Sequence, residues 1–272
     1  MIASLTIVII GRSNKAKRSE SILKIAQNFR EQGYTIHEFE SDRQQAAARI
    51  NQRITRFWPA LMQGDRTDFP PHRRLMRSVI RTILALTTES RWVLGAAMGM
   101  LSERAMLSRQ INRFINRLPS GQVQLIGHSL GAILATRISE NPKISKIICF
   151  GYPFQHPQHP SEAYRTAHLA SVAKPLLVMQ GTSDIYGSDP RAIGRLLPEG
   201  AKLVMLDCDH NYGQLPSAEF NRAWSAVSRF IGGLPAGDDA VPQSGALQEQ
   251  NSIFSEISMV AADGFEPPTK GL

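Results

Sequence analysis

The chain has 272 residues, 42% apolar and 20% charged, a composition that argues against a disordered, collagenous or polytopic membrane protein. Its two cysteines, Cys149 and Cys208, argue against a disulfide framework or a cysteine-built zinc site and fit a reducing, cytoplasmic compartment. The net charge of +8 is uneven, with fourteen arginines, no lysine and four acids in 43–117 against six acids and one base in 235–272, so nucleic acid has to be weighed as a partner.

In chain order, Leu5–Ile10 is a short β-branched run ending at Gly11, which predicts a buried strand. Its basic cluster (Arg12, Lys15, Lys17, Arg18) follows the apolar run instead of preceding it, so the start is not read as a secretory leader. Ile22, Ile25, Ala26 and Phe29 recur at helical spacing, with Gly33 as the stop. Tyr34–Phe39 alternates as a second strand. Val123–Ile126 is a third, ending in Gly127, and Ala132–Ile138 is helical. Ile144–Phe150 is a fourth strand, and Pro175–Met179 a fifth, ending at Gly181. Asp189 and Pro190 open a helix through Leu197 as cap and first-turn residue. Lys202–Leu206 is a sixth strand. Ser217 caps a last helix with Phe220, Ala223, Trp224 and Val227 inward. Strands alternating with helices predict an α/β fold: a doubly wound, mostly parallel sheet of about six strands, covered on both faces.

Residues 43–118 interrupt this alternation and are read as a helical insertion or cap in a domain 1–234. Leu75, Val79, Ile83 and Leu86 form one apolar stripe, with Arg73, Arg77 and Arg81 on another face. Leu107, Ile111, Phe114, Ile115 and Leu118 form a second, beside Arg109, Arg113 and Arg117. Thr82–Leu101 is long enough to span a bilayer but carries Glu89 and Arg91 near its middle. Each charge there costs about 2.5–3.5 kcal/mol, so a buried or surface-lying helix is expected. The arginine stripes are first a solvated face, and without a recognised module or interleaved aromatics nucleic acid is not the expected partner. Contact of 73–117 with a membrane surface, or with a protein partner, stays open. Residues 235–272 are polar, weakly patterned and expected to be disordered.

The chemistry centres on Gly127-His128-Ser129-Leu130-Gly131, a G-x-S-x-G pentapeptide directly after a predicted strand and before a predicted helix. In that context the turn is a nucleophile elbow. Ser129 is lifted above the sheet, the glycines leave room, and the Leu130 N–H at the helix start can face a developing oxyanion. A serine hydroxyl needs a base, and the base needs an orienting acid. The expected chain order is serine, acid, histidine. Asp184 follows the fifth strand and His210 the sixth, so both loops open on the sheet edge that carries Ser129. Asp189 is better spent as a helix cap, Asp207 and Asp209 lie on the base's own loop, and His128 points away across the elbow. The second oxyanion donor is assigned to Arg12, in the loop Gly11-Arg12-Ser13-Asn14. Gly11, Tyr152 and Phe154 are the candidate substrate contacts. His156 and His159 sit among prolines in GYPFQHPQHP and are read as a pocket rim, not as metal ligands. No metal or cofactor is expected.

GHSLG, Gly151-Tyr152-Pro153-Phe154 with His156-Pro157, Arg165 with His168-Leu169, KPLLVMQGTSD and DCDHNY together resemble the α/β-hydrolase superfamily over residues 5–231. The resemblance is to a core without the usual first two strands. More narrowly, the chain looks like the branch of testis-expressed and histone-acetyltransferase-complex-subunit hydrolase-like proteins, near the dienelactone-hydrolase-like proteins. It implies Ser129, Asp184 and His210 as a triad and a small-molecule acyl substrate, and it supplies no substrate identity. A catalytically silent module of the same fold, working through its basic insert, is the rival expectation.

Overall fold

A computed structural model describes residues 6–11, 19–59, 71–88, 103–119, 121–158 and 162–232. Its strands are β1 (Thr6–Ile10), β2 (Thr35–Glu38), β3 (Val123–His128), β4 (Ile144–Phe150), β5 (Leu176–Gly181) and β6 (Lys202–Leu206). They form one parallel sheet in the order β2-β1-β3-β4-β5-β6. The helices are α1 (Glu20–Glu31), α2 (Asp42–Phe57), α3 (Pro71–Thr88), α4 (Glu103–Arg117), α5 (Leu130–Arg137), α6 (Pro190–Gly194) and α7 (Ser217–Gly232).

Both faces of the sheet are covered, which is why its central strands read as unbroken apolar runs. Val8, Ile10, Leu125, Ile147, Cys149 and Val178 point to one face and pack with Ile111 and Ile115 of α4 and Ala132–Ala135 of α5. Their strand neighbours Ile7, Ile9, Ile126, Ile148, Phe150 and Met179 point to the other and pack with Ile25 and Phe29 of α1 and Ala223 and Val227 of α7. Each fully buried isoleucine or leucine contributes about 1.5–3 kcal/mol through the area it removes from water. The strand order reverses between β1 and β3, and parallel sheets build their sites at such a point, outside the carboxyl ends of the strands.

Local chemistry sets the ends of these elements. The Ser19 hydroxyl accepts from the Ile22 N–H to open α1, and Gly33 leaves it at φ +87°, a region that disfavours any side chain. Helix α6 stops at Gly194, short of the expected Leu197. The ring of Pro198 would collide with the carbonyl four residues back and holds Leu197 out of the helical region.

The described residues fall into two compact units, one within 1–39 and 104–242 and the other within 40–103. The insertion is therefore shorter than the 43–118 expected: α4 carries Ile111 and Ile115, with Leu118 just beyond it, into the sheet core. In the second unit, Ser41 and Gln44 form a reciprocal capping box at the start of α2. Helices α2 and α3 pack through Ile50, Ile54 and Ala85, with Ile80 and Leu84 partly buried. The stripe Leu75, Val79, Ile83, Leu86 is 48–66% exposed, because α3 turns Ile80, Leu84 and Ala85 toward α2 instead. Among the described residues no helix is long and apolar enough to cross a membrane. Residues 89–102, and the tail 235–272, lie outside those described.

Candidate active site

Strand β3 runs straight into α5 through Ser129, whose backbone sits at φ 57°, ψ −120°. A non-glycine residue rarely adopts this conformation and holds it only where its surroundings over-determine it. The Ser129 N–H donates to the Phe150 carbonyl at 3.1 Å. A Cβ on Gly127 would lie 2.6 Å from Ala132 Cα, and one on Gly131 would lie 1.9 Å from the Ile10 carbonyl oxygen. Both positions of the pentapeptide therefore require glycine, and the second brings the end of β1 against the start of α5. The Ser129 side chain makes no capping bond to α5.

That hydroxyl lies 2.9 Å from His210 Nε2, and His210 Nδ1 lies 2.8 Å from Asp184 Oδ2. An ionised carboxylate only accepts, so Nδ1 donates to Asp184 and Nε2 accepts from Ser129. The structure thus brings together three residues from the ends of β3, β5 and β6. Asp184 is buried and well supplied with donors: Gln180 Nε2 also reaches Oδ2 at 2.9 Å, and the Tyr186 N–H reaches Oδ1 at 2.8 Å. These bonds compensate the loss of water around the charge.

His210 is held from several sides. His128 Nε2 donates to the His210 carbonyl at 3.1 Å, so the histidine beside Ser129 anchors the His210 loop. The Tyr186 ring lies 4.4 Å from the imidazole, centroid to centroid. Tyr212 takes a positive φ of 49°, and its hydroxyl donates to the Met179 carbonyl at 2.8 Å. At Gly151 a Cβ would come within 3.3 Å of His210 Nδ1, and at Gly181 within 2.4 Å of the Cys208 carbonyl oxygen.

Alternative groups are otherwise engaged. Asp189 accepts from the Arg191 N–H at 2.9 Å as the cap of α6. Asp209 binds Asn211, whose backbone N–H is the main cause of its lowered pKa. Burial pushes the Cys208 thiol up to about 12 and raises Cys149 as well, so both stay protonated and weakly nucleophilic.

A cavity of about 210 Å³ opens beside Ser129. Leu130, Ile133 and Pro153 supply its apolar wall, and His156, Tyr164, Arg165 and Tyr186 its polar one. Of the candidate substrate contacts, Tyr152 and Phe154 are not part of that lining. Tyr152 is fully buried with its hydroxyl on the Arg165 carbonyl, and Phe154 stacks against it at 4.7 Å. These aromatics support the wall from behind because their strand-end backbone turns them into the core. Gly11 is exposed at the end of β1, with its carbonyl close to Gly131, and is likewise outside the lining. Leu130 stands at the first position of α5, where the N–H has no acceptor within the helix. Arg12 and His159 lie outside the described residues. Sequence reasoning missed Gln180, Tyr186 and His128 as supports. The polar Gln180 at the end of the apolar run Leu176–Met179 was the one signal available.

Residues 102–229 match a family model described as an alpha/beta hydrolase domain. The match is to the general domain and does not separate its branches. No curated protein matches the sequence. Among solved structures, the chain is similar to the esterase domain of a Rhodothermus marinus protein, at 14% identity and a TM-score of 0.48 over 83% of this chain and 85% of that one. It is similar to the thioesterase domain from the curacin biosynthetic pathway, at 13% identity and 0.46 over 84% and 91%. It is also similar to the N-formylmaleamic acid deformylase of Pseudomonas putida S16, at 11% identity and 0.49 over 83% and 92%.

Proposed function

We propose that this protein is a serine hydrolase of carboxylic ester or thioester bonds. The observation that carries the reading is the continuous chain from Ser129 Oγ to His210 to Asp184, with links of 2.9 and 2.8 Å. In the first step His210 Nε2 takes the hydroxyl proton as Oγ bonds to the substrate carbonyl carbon. Asp184 holds the imidazole in the required tautomer and offsets the charge that the ring gains. The tetrahedral oxygen faces the Leu130 N–H at the positive end of α5, and Arg12 N–H is the second donor; one such donor contributes about 10²–10³-fold. Collapse expels the alcohol or thiol, which receives the proton from His210. A water then gives its proton to the same nitrogen and attacks the acyl-enzyme; collapse releases the acid, and His210 returns that proton to the departing Ser129 Oγ.

The cavity volume of about 210 Å³ is below the range typical of drug-sized ligands and suits a short acyl group. The test is labelling with a fluorophosphonate probe. Wild type is expected to be labelled and Ser129→Ala not; equal labelling of both, or of neither, rejects the reading.

A further inference from the structure

The polar wall of the cavity is not explained by bond cleavage alone. Arg165 lines it and is 8% exposed, and an arginine keeps its charge when buried. Its Nε donates to Glu162 Oε2 at 2.7 Å, and Nη2 stands 2.6 Å from the same oxygen. Both bonds converge on one carboxylate oxygen. The Nη1 edge makes no hydrogen bond to the described residues, so the fork has unused donors. The Tyr152 hydroxyl fixes the Arg165 backbone from below, and the Tyr164 ring lies 5.0 Å from the guanidinium. Two further cations meet at that tyrosine: Arg104 lies 3.6 Å over its ring, and Arg137 Nη2 donates to its carbonyl at 2.7 Å. Three guanidinium groups thus gather where the described residues bonded to Arg165 supply one carboxylate, that of Glu162. Leu130, Ile133 and Pro153 give the same cavity an apolar lining.

We infer that Arg165 is the specificity residue of this site and that the acyl group of the substrate ends in a carboxylate. The substrate class is a short monoester or monothioester of a dicarboxylic acid. Its carbonyl sits at Ser129, its few methylenes run along the apolar wall, and its carboxylate takes the free donors of the Arg165 fork. This rests on the hydrolase reading above and deepens it.

The experiment compares hydrolysis of monoethyl succinate and ethyl 4-methylpentanoate, which share shape and leaving group and differ in terminal charge. Wild type is expected to favour the anion at least tenfold in kcat/KM. Arg165→Met is expected to lower that preference tenfold or more. Glu162→Gln removes the competing carboxylate on the partly exposed side and is expected to raise it, and this variant carries the test if Arg165→Met fails to fold. A ratio near one in wild type, or the same ratio in both variants, overturns the proposal; a merely structural Arg165 would depress both esters together. If Ser129 takes the fluorophosphonate but the neutral ester is preferred, the inference falls and the hydrolase reading stands. If Ser129 is not labelled, calorimetry of monoethyl succinate on Ser129→Ala decides. Binding that Arg165→Met weakens tenfold upholds the anion subsite, and absent binding overturns it.

Discussion

Helix α3 carries Leu75, Val79, Ile83 and Leu86 beside Arg73, Arg77 and Arg81, and helix α4 carries Leu107, Ile111, Phe114 and Ile115 beside Arg109, Arg113 and Arg117. Both patterns are amphipathic. In α4 the stripe closes over one face of the sheet, and Ile111 and Ile115 are fully buried. In α3 the expected stripe is exposed, and the contact with α2 uses Ile80, Leu84 and Ala85, displaced around the helix. Periodicity therefore specifies a helix and the existence of an apolar face. It does not specify whether a sheet or only another helix is there to cover that face. The same contrast separates the units: in the sheet unit Asp184 and His210 are buried and hydrogen-bonded in place, whereas the described helices of the insert share a small core.

The comparison has measurable consequences. The largest effect belongs to the packed site. Ser129→Ala and Asp184→Asn are each expected to lower kcat/KM by about 10⁴-fold, measured on a short acyl ester; a drop below tenfold for either would mean that the hydrogen-bonded chain is not the working one. Next is the core beneath it. Ile115→Ala is expected to lower unfolding free energy by about 2–5 kcal/mol in urea melts. Gly131→Ala should cost about 1–3 kcal/mol or more, since its Cβ would meet the Ile10 carbonyl at 1.9 Å and the end of β1 must move. Val79→Ala, with the same spacing and chemistry as Ile115 but an exposed side chain, should stay within about 0.5 kcal/mol. Similar losses at Val79 and Ile115 would show that α3 is covered after all.

A further effect is a pH slope. Burial, and to a lesser degree Arg137, pulls His168 down to about 4 from its ordinary 6.5, and Thr136 Oγ1 is its partner at 2.9 Å. Between those values the unfolded chain binds the proton and the folded one does not. Stability therefore rises with pH from about 4 to 6.5 and falls on acidification through that window. His168→Gln is expected to remove this share of the slope in denaturant midpoints taken at each pH.

Much of the site was legible from local pattern. Gly127 and Gly131 mark a turn in which backbone must approach backbone, and Ser129, Asp184 and His210 follow strands whose ends share one edge, in the chain order expected of that fold class. What was not legible depends on side-chain direction. Tyr152 and Phe154 look like substrate contacts because they follow β4 immediately, yet they turn inward and brace Arg165. His128 looks idle beside Ser129, yet its ring holds the His210 carbonyl. Gln180 is a polar residue in a buried strand, whose partner Asp184 is four residues away in the next turn.

By itself the sequence determined the strands, several of the helices and the residues from which a nucleophile, base and acid can be proposed, because these depend on spacing along the chain and on backbone sterics. The tertiary structure alone decided that Arg165 lines the cavity while Tyr152 does not, that α4 belongs to the sheet and not the insert, and that the arginines near Tyr164 come from three separate segments. Those outcomes are set by which surfaces compete to leave water, and that competition is settled only when distant segments meet.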